Sequence, residues 1–380
     1  MDIINFLLEN PIFFLLIAFG LAFLIQIFFY TFYYLRIVFY KNRKNRKTEK
    51  EGVSVIICAK NEEENLEKYL PSILEQEYPN YEVIVVNDCS EDETEFVLQK
   101  LQAKYKHLKT TTIKQDDKFY HSKKLALTVG IKAATNDFLL LTDADCKADS
   151  PKWIEKMQEK FVNKAEIILA YGGYFREKKL INNLIRFDTL FIAIQYLTFA
   201  MAKKTYMGVG RNLAYTKNLF FKNKGFASHY HIESGDDDLF ISQVANKKNV
   251  SVEISKESIT RSKAESSFSD WYKQKKRHLT TGKYYRFKTK WRLFCENTSR
   301  VAFYTLFILS LIYLNEYYIY ILGAFAFRMI LQLTIYKVAM KRLNEKYLLL
   351  PSLLYDIVMP FLNLSFTLVN NLSRKRNQWK

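Results

Sequence analysis

An alternation of strand-like and helix-like segments between about residues 52 and 255 constrains the fold of this chain more than any other feature. Four short apolar runs, rich in β-branched residues, predict strands. They are VSVIICA (53–59), YEVIVVND (81–88), LKTTTI (108–113) and DFLLLTDAD (137–145). Buried strands that alternate with helices form a mostly parallel sheet with helices on both faces. The predicted fold class is therefore α/β, with a doubly wound, mostly parallel sheet.

Helices are predicted between these strands from apolar residues at helical spacing. The first has an apolar face from Leu66 to Leu74 and should be kinked at Pro71. The next two are DETEFVLQKLQAKY (92–105) and SKKLALTVGIKAA (122–134). After the fourth strand, Ser150 is predicted as the N-cap of a further helix and Pro151 as its first residue.

Acidic and amide side chains follow three of the predicted strands. They are Asn61, Glu62, Asn87, Asp88, Asp143 and Asp145. These positions lack a glycine-rich turn, which argues against a dinucleotide-binding fold and against a P-loop. Ligands of such sheets bind at the carboxyl ends of the strands. Carboxylates alone would repel a phosphate, whereas a bound divalent cation reverses that sign.

Asp143 and Asp145 have two interpretations. An isolated D-x-D tripeptide is common and is usually a solvated polar loop. Alternatively, the two carboxylates bind Mg²⁺ or Mn²⁺ together with phosphate oxygens of a ligand. Such an ion would neutralise a diphosphate leaving group as a glycosyl bond breaks. The position of the pair after a buried strand, with Asp88 at the end of another, favours the cation site.

The amino-terminal segment predicts a membrane anchor. Residues 11–35 carry no charge and are long enough to span a bilayer. The start Met1-Asp2 and the aromatic residues that follow favour a retained anchor over a cleaved signal peptide. The run KNRKNRKTEK (41–50) contains six basic residues. Because positive charge marks the cytoplasmic side, we expect a multi-pass protein of the cell inner membrane with its soluble domain in the cytoplasm.

The carboxy-terminal part is apolar again and predicts further membrane segments. Residues 301–315 are uncharged, and a second segment after Glu316 contains Arg328. A third, 347–372, is interrupted by prolines and is predicted to be re-entrant or interfacial, which keeps the basic tail cytoplasmic. An arginine in an apolar segment requires a partner, and Asp356 is the candidate for Arg328.

Net charge suggests the classes of ligand. The chain has 57 basic and 39 acidic residues, a formal charge of +18, which suits nucleic acid, anionic lipid or phosphorylated ligands. The segment from Trp271 to Trp291 has eight basic residues and no acidic one. It is interpreted as an interfacial helix on anionic lipid, as a segment closing over a diphosphate, or as a nucleic-acid site. Its position beside the membrane segments favours the first two and argues against nucleic acid. Four cysteines without paired spacing predict reduced thiols.

Four motifs in order resemble a family 2 glycosyltransferase with the GT-A fold, over about residues 52 to 290. They are AKNEEENLEKYLPSILEQEYPNYEVIVVNDCSEDET, SKKLALTVGIKAATNDFLLLTDAD, SGDDDLF (234–240) and QKKRH (274–278). The last two resemble the T-E-D-x-D-L segment with the catalytic base and the Q-x-x-R-W segment of membrane-bound members.

This resemblance implies a role for each matching residue. Asp88, together with Glu62 and the neighbouring Asn87, would contact the nucleoside. Lys123 would approach the nucleotide or its phosphates. Asp143 would contact the ribose and, with Asp145, the metal. Gln274 and Arg277 would line the donor diphosphate and the acceptor site.

The sequence departs from the family pattern at three of these motifs. Asn87 replaces the first of two aspartates, Gly235 the glutamate before the base, and His278 the tryptophan. Asp236 aligns with the base, but Asp237 is the alternative because three aspartates are consecutive. From the residues alone, GDDDLF equally suits an acidic helix start, where aspartates favour the helix dipole.

Two further segments are candidates for the acceptor region. Residues 182–204 are apolar but contain Arg186 and Asp188, which predicts a helix that lies on the membrane or lines the acceptor entry. The segment MGVGRNLAYTK (207–217) is interpreted either as an acceptor-site loop or as a turn between a helix and a strand.

The resemblance and the apolar ends together imply a function and a domain order. We expect an inverting, metal-dependent glycosyltransferase that moves a sugar from a UDP- or GDP-sugar to a lipid-linked or glycan acceptor at the membrane. The alternatives are a processive polysaccharide synthase and an inactive membrane scaffold. The predicted order is an anchor (1–40), a basic linker (41–51), the GT-A domain (52–265), a basic aromatic segment (266–298), membrane or re-entrant helices (299–372) and a basic tail (373–380).

Overall fold

The computed structural model describes residues 11–41, 50–114, 122–161, 164–232 and 234–372. The chain start, most of the basic linker and the basic tail, on which the predicted orientation rests, lie outside these residues.

Ten strands in the described residues form two sheets. They are β1 (Val53–Ala59), β2 (Tyr81–Asp88), β3 (Leu108–Ile113), β4 (Phe138–Leu141), β5 (Lys147–Ala148), β6 (Ile167–Leu169), β7 (Gly172–Tyr174), β8 (Leu213–Thr216), β9 (Val250–Val252) and β10 (Thr260–Ser262). The main sheet has the order β3-β2-β1-β4-β8-β6-β9, and the small sheet has the order β5-β10-β7. The four predicted strands are confirmed, although β4 ends at Leu141 and leaves both aspartates in the loop after it.

The main sheet is mostly parallel, as predicted. β1 pairs in parallel with β2 and β4, and β2 with β3, whereas β8 is antiparallel to both of its neighbours. Successive residues of β1 point to opposite faces of the sheet. Val55 packs in the hydrophobic cluster with Leu66, and Ile56 packs in the cluster with Leu127. This period of two buries both faces of the strand, which explains its continuous apolar run.

Fourteen α-helices lie in the described part of the chain. They are α1 (Pro11–Phe28), α2 (Arg36–Phe39), α3 (Glu63–Tyr69), α4 (Pro71–Leu74), α5 (Thr94–Lys104), α6 (Lys123–Ala133), α7 (Trp153–Gln158), α8 (Leu180–Met201), α9 (Lys217–Lys222), α10 (Asp238–Val244), α11 (Phe268–Leu279), α12 (Phe287–Tyr313), α13 (Tyr318–Arg342) and α14 (Pro351–Leu372).

The regular helix begins two residues after the predicted first residue Pro151, but Ser150 Oγ accepts a hydrogen bond from Lys152 N at 3.2 Å, as predicted for a capping residue. Helix α7 begins at Trp153, whose amide donates to the Ser150 carbonyl at 3.3 Å in a turn. The Pro151 carbonyl instead accepts a hydrogen bond from Glu77 N at 2.8 Å. This tertiary contact with the loop before β2 engages a carbonyl that a helix beginning at Pro151 would use internally.

Helices α1, α12, α13 and α14 pack together at one side of the α/β domain. Within the part of the chain that the structure describes, four helical segments are long and apolar enough to cross a membrane: Ile12–Phe39, Leu180–Met201, Asn315–Arg342 and Pro351–Val369. Of these, α8 is mostly buried and packs between the sheet and the terminal helices. Helix α12 is not among the four, because its apolar half continues a charged half.

Two predictions for the terminal helices have different outcomes. The predicted interruption of the last segment at Pro360 is wrong, because α14 continues as one helix through this residue. The proposed partner of Arg328 is confirmed, since Arg328 Nη2 lies 2.8 Å from Asp356 Oδ2 and both side chains are fully buried. Pairing of this kind is how a charged residue is accommodated among apolar helices.

Candidate active site

The candidate site lies at the carboxyl ends of β1 and β4. The sheet order runs from β1 through β2 to β3 on one side and from β1 to β4 on the other, so these two neighbours form the topological switch point. β1 is parallel to β2 and to β4, so the carboxyl ends of all three strands open at one edge. Asp88 is the last residue of β2, and Asp143 follows the end of β4 by two positions. The fold therefore places at one edge the side chains that the sequence predicted as a group.

Three of these residues lie on the β2 side. Asn87 and Asp88 are buried, and Asn87 Oδ1 accepts a hydrogen bond from Ser90 N at 3.3 Å, which closes the turn after β2. The Glu62 carboxylate accepts a hydrogen bond from Asn65 Nδ2 at 2.6 Å. Burial raises the pKa of Glu62, and the nearby Asp145 and Asp143 carboxylates add to this shift. Glu62 therefore belongs to the same electrostatic site as the D-x-D pair.

Lys123 connects two acidic groups from distant parts of the chain. It is the first residue of α6, and its Nζ lies 2.7 Å from Asp143 Oδ1 and 3.5 Å from Asp236 Oδ2. Burial lowers the pKa of Lys123, but the Asp143 and Asp236 carboxylates outweigh this effect and raise that pKa well above its usual value. The lysine is therefore a fixed cation between the strand ends and the acidic cluster at Asp236 to Asp238.

Asp143 and Asp145 form the candidate cation site. Their carboxylate oxygens and the Cys146 Sγ lie within 4.8 Å of one another. Burial would raise the pKa of Asp143, but the Lys123 ammonium outweighs it and holds that pKa low. Burial and the Asp143 charge raise the pKa of Asp145 to about 6. Two hard carboxylate donors that repel one another suit Mg²⁺ or Mn²⁺, whereas the buried Cys146 thiol does not.

Two arginines place positive charge near the carboxylates at this edge of the sheet. The guanidinium groups of Arg211 and Arg277 both help to lower the pKa of Asp143. Arg211 stacks on the Tyr174 ring with its Cζ 4.1 Å from the ring centroid. A Cβ on Gly172 would lie 2.8 Å from Arg211 Cβ, so glycine at this position makes room for the arginine backbone and stem. The sequence predicted Arg277 as a site residue but did not predict Arg211 as one.

The three consecutive aspartates face different partners. Asp236 pairs with Lys123. Asp237 Oδ2 accepts a hydrogen bond from Gly210 N at 2.7 Å, and its Oδ1 accepts one from Asp238 N at 2.7 Å. Asp238 accepts hydrogen bonds from Thr281 Oγ1 at 2.5 Å and Tyr285 Oη at 2.6 Å. Asp237 is also the N-cap of α10, so the helix-start interpretation is correct as well.

Asp237 is the candidate general base among the three aspartates. Its side chain lines the large cavity described below. Burial and the charges of Asp236 and Asp238 raise the pKa of Asp237 to about 8, against the opposing effects of Lys123 and the Gly210 amide. A carboxylate with a pKa near the working pH accepts protons more effectively than an ordinary one.

Lys124 holds the segment that leads into these aspartates, and the sequence analysis did not identify it. Its fully buried Nζ donates hydrogen bonds to the backbone carbonyls of His229, Ile232 and Ser234, at 2.7, 2.5 and 2.9 Å. Burial lowers the pKa of Lys124 to about 8, although Asp236 opposes the shift. The paired lysines of α6 thus contact both the side chains and the backbone of the acidic segment.

A cavity of about 530 Å³ extends from Asp237 and Arg211 toward the terminal helices. Its walls come from the end of β7, from α8, from the loop after α8 and from α11, α12 and α14. Most of the wall is aromatic or aliphatic. A cavity of this size and composition suits an organic ligand held by a few polar groups.

Helix α11 forms one wall of this cavity, which supports the interpretation that the basic segment covers the site. Gln274 and His278 line the cavity, and Gln274 Oε1 accepts a weak hydrogen bond from Tyr174 Oη at 3.5 Å. Burial lowers the pKa of His278 to about 3, with Arg277 and Lys275 adding to the effect, so the imidazole is neutral. The predicted loop at Met207–Lys217 also reaches the site, through Gly210 and Arg211.

Comparison with known proteins identifies the same region. A model of glycosyl transferase family 2 matches residues 54–222, and a model of glycosyl transferase family group 2 matches residues 154–340. The two matches overlap and together include every candidate site residue described above.

Individual relatives match shorter segments. An uncharacterised glycosyltransferase of Haemophilus influenzae is 35% identical over 122 residues, which are 32% of this chain and 36% of that protein. A poly-beta-1,6-N-acetyl-D-glucosamine synthase of Staphylococcus epidermidis is 33% identical over 107 residues, which are 28% of this chain and 24% of that protein. The chain thus spans about a third or less of the length of these relatives.

A solved structure is similar over almost the whole chain. It is the mannosyltransferase PcManGT of Pyrobaculum calidifontis in complex with GDP-Man and Mn²⁺, with a TM-score of 0.55 and 16% identity. The match covers 92% of this chain and 97% of that one. At this identity the likeness concerns the fold, which is the GT-A fold with additional apolar helices.

Proposed function

Because this chain belongs to the family 2 glycosyltransferases, we propose that it transfers a sugar with inversion from a UDP- or GDP-sugar to an acceptor held in the cavity. The observation that carries the proposal is that two separate sets of carboxylates, one for a cation and one for a base, lie near the same lysine. Asp143 of the candidate cation pair is bound to Lys123, and the candidate base, Asp237, lies close enough to the same ammonium for its charge to help raise the pKa of Lys123. A leaving group and a nucleophile require two such distinct sites.

The donor would occupy the strand-end edge. Glu62, Asn87 and Asp88 lie where the nucleoside would bind, and Arg211 and Arg277 lie where a diphosphate would gain opposite charge. Asp143 and Asp145 would hold Mg²⁺ or Mn²⁺, which when bound would neutralise negative charge on the diphosphate. The complex of PcManGT with GDP-Man and Mn²⁺ supports this class of donor and ion.

The proposed base is Asp237, with Asp236 as a positioning residue. Asp237 faces the cavity and has a raised pKa, whereas Asp236 is engaged with Lys123. Asp237 would accept the proton of the acceptor hydroxyl as its oxygen bonds to the anomeric carbon. The bond from that carbon to the diphosphate breaks on the opposite face, which inverts the anomeric configuration.

The acceptor would bind in the cavity near Gln274 and His278, at the membrane surface. Three exposed helical segments of spanning length among the described residues support a multi-pass protein of the inner membrane. The basic run at 41–50 supports a catalytic domain on the cytoplasmic side. The matched segments of poly-beta-1,6-N-acetyl-D-glucosamine synthases favour a processive polysaccharide synthase as the second candidate. An inactive scaffold is disfavoured because both carboxylate sites are complete.

Donor turnover by the purified full chain tests this proposal. Nucleotide release from a panel of UDP- and GDP-sugars would be measured with Mn²⁺, with Mg²⁺ and with EDTA, for the wild type, Asp237→Asn and Asp236→Asn. We expect metal-dependent turnover that falls by about 10²–10⁴-fold in Asp237→Asn, the usual contribution of a general base.

The two aspartate variants also separate the two assignments. A larger loss in Asp236→Asn than in Asp237→Asn would show that the base is Asp236. Absence of turnover with every donor, by a folded protein supplied with a membrane lipid extract, would favour the scaffold.

A further inference from the structure

We propose that a second, smaller cavity beside α10 binds a small polyhydroxylated anion, which raises the rate of transfer. This cavity has a volume of about 330 Å³, and its walls are residues of the segment 228–232, of α10 and of the connection between α11 and α12. The ligand is either a sugar phosphate or a sugar acid, and the test below distinguishes the two. Its binding is independent of the proposed function, whereas its effect on the rate rests on that function.

Helix α10 contributes to the walls of both cavities. Asp237 and Asp238, at its start, line the larger cavity, whereas Leu239, Ser242 and Gln243 line the smaller one. The two cavities have no lining residue in common. A ligand in the smaller cavity would therefore contact the helix that begins at the candidate base without occupying the place of a donor or an acceptor.

Arg286 gives the smaller cavity a fixed positive charge. Its Nη2 donates a hydrogen bond to the Gln243 carbonyl at 3.0 Å, and Arg286 forms no ion pair within the described residues. None of the described residues that line this cavity is acidic. An arginine without a carboxylate partner has donors left to bind phosphate or carboxylate oxygens in pairs. The cavity therefore suits an anion.

His229 supplies an acceptor for a hydroxyl group of the ligand. It lines the cavity, is only 5% exposed, and its Nε2 has no hydrogen-bond partner in the part of the chain that the structure describes. Burial lowers the pKa of His229 to about 4 and outweighs the opposing effect of the Gly235 backbone, so the ring is neutral. Ser228 Oγ donates its one proton to Gln243 Oε1 at 2.7 Å and therefore accepts from His229 Nδ1 at 2.9 Å. The proton is then on Nδ1, and Nε2 carries a lone pair.

Arg286 and His229 together define the class of ligand. An anionic group would bind at the guanidinium, and an O–H group would donate to the imidazole. The volume lies at the lower end of the range of small-molecule pockets and exceeds that of a few water molecules. Sugar phosphates and sugar acids combine an anionic group with hydroxyls at this size.

The walls of the smaller cavity are connected to the three aspartates by hydrogen bonds. On one side, Lys124 Nζ donates to the carbonyls of His229 and Ile232 at 2.7 and 2.5 Å. On another side, Tyr285 follows a lining residue of the cavity directly and donates to Asp238 Oδ2 at 2.6 Å. A ligand that joins these walls would act on the same segments that position the aspartates.

The length of α10 suggests the direction of the effect. The helix has only seven residues, and so short a helix depends on tertiary contacts for its position. A bound ligand would add contacts to one side of α10 and hold Asp237, its N-cap, more firmly. Because small displacements of a catalytic group cost much of the rate, we expect the ligand to raise kcat.

Calorimetric titration of the full chain in lipid nanodiscs tests the site without requiring turnover. The probes are glucose 6-phosphate and glucuronate, with glucose and inorganic phosphate as comparisons, and UDP with Mg²⁺ is present throughout to occupy the donor site. We expect one of the two sugar anions to bind at least about tenfold more tightly than either comparison, since each comparison lacks one part of the ligand. The tighter sugar anion identifies the anionic group. Equal binding of all four probes, or no saturable binding, would overturn the proposal.

A pair of variants provides the matched control. Arg286→Gln removes the guanidinium, whereas Lys288→Gln removes the same charge at an exposed position that lines neither cavity. We expect Arg286→Gln to weaken binding by about tenfold or more, the usual effect of losing a charge-assisted hydrogen bond, and Lys288→Gln to leave it unchanged. Amide hydrogen exchange should slow on binding in residues 228–232 and in α10. Equal effects of the two variants, or slower exchange only at the donor site, would contradict this location.

Nucleotide release separates this inference from the proposed function. We expect the bound sugar anion to raise kcat by about fivefold or more in the wild type and not in Arg286→Gln, whose rate without the ligand should equal that of the wild type. Binding with an unchanged kcat would retain the site and overturn its effect on the rate. Binding to a protein that turns over no donor would retain the site and overturn the proposed catalysis.

Discussion

At the scale of single residues, the three consecutive aspartates illustrate how position in the fold assigns chemistry. Asp236 neutralises Lys123, Asp237 faces the cavity, and Asp238 accepts hydrogen bonds from Thr281 and Tyr285. Asp238 also lines the cavity, but its carboxylate is engaged by the two hydroxyl groups, which leaves Asp237 as the candidate to accept a proton from an acceptor. Family alignment favoured Asp236, and the geometry favours Asp237.

The raised pKa of Asp237 predicts the pH dependence of transfer. The base acts when charged, and its charged fraction increases as the pH rises through about 8. We therefore expect kcat/KM to rise with pH up to about that value and then to level off, since kcat/KM reports groups of the free enzyme. Asp238→Asn removes one neighbouring negative charge and should move the midpoint to lower pH.

Glu95→Gln, at an exposed position on α5, provides a control for this shift because it removes the same charge from a residue that is not among the groups that shift the pKa of Asp237. An unchanged midpoint in Asp238→Asn, or an equal shift in Glu95→Gln, would mean that Asp237 is not the titrating group.

Lys124 is expected to act as a positioning residue. Lys124→Met removes three hydrogen bonds from the His229, Ile232 and Ser234 carbonyls and should displace the segment that carries Asp237. Small displacements of a catalytic group can cost about 10²-fold in rate. We expect a loss of that order in kcat, little change in KM for the donor, and a higher pH midpoint because a cation near the aspartates is lost.

The matched control is Lys132→Met, an exposed lysine at the other end of α6. If both lysine variants lost the same activity, or if Lys124→Met altered only the KM for the donor, the positioning role would be wrong.

At the scale of elements, the connection between α13 and α14 is part of the catalytic domain's core. Its buried Glu345 accepts hydrogen bonds from Arg186 of α8, from Arg261 of β10 at 2.7 Å and from Tyr171 at 3.1 Å. Tyr171 lines the cavity. This single carboxylate therefore fixes the terminal helices relative to the cavity wall.

Glu345→Gln should destabilise the whole chain. Removing the charge leaves two buried guanidinium groups with less compensation, which typically costs about 3–5 kcal/mol. We expect the thermal unfolding midpoint of the detergent-solubilised protein to fall by about 5 °C or more. Glu316→Gln, at an exposed position in the connection between α12 and α13, should leave the midpoint unchanged. Equal midpoints for the two variants would refute the anchoring role.

At the scale of the whole molecule, the terminal helices enclose a neutral network of four charges. Arg328 pairs with Asp356, Asp356 lies 3.4 Å from Arg300, and Arg300 is paired with Glu296. All four side chains are buried, and two positive and two negative charges balance. The network joins α12, α13 and α14, and Glu296 also lines the cavity.

Charge balance in this network predicts a compensation between two variants. Asp356→Leu alone leaves an unbalanced buried cation and should lower the yield of folded protein strongly. Addition of Arg328→Met removes that cation and leaves the Glu296–Arg300 pair neutral, so folding should recover in part. Monodisperse protein recovered after detergent extraction measures both. A double variant no better than the single one would show that neutrality is not the governing requirement.

The sequence by itself determined the α/β sheet, the positions of its first four strands and the polar residues at their ends. These features follow from short-range patterns: a period of two in β1, helical spacing in α6, and a polar residue where a buried strand stops. The apolar character of the terminal helices was equally readable from composition.

Only the tertiary structure decided what each of the three aspartates contacts, what Lys124 holds and which helices line the cavity. Lys124 and Ile232 are 108 positions apart, and Glu345 and Arg186 are 159 apart. Contacts at such separations leave no periodic signal in a single sequence, because each partner satisfies its local pattern without the other. The direction of a side chain at the end of a strand depends on what packs against it, and that is fixed only when the chain has folded.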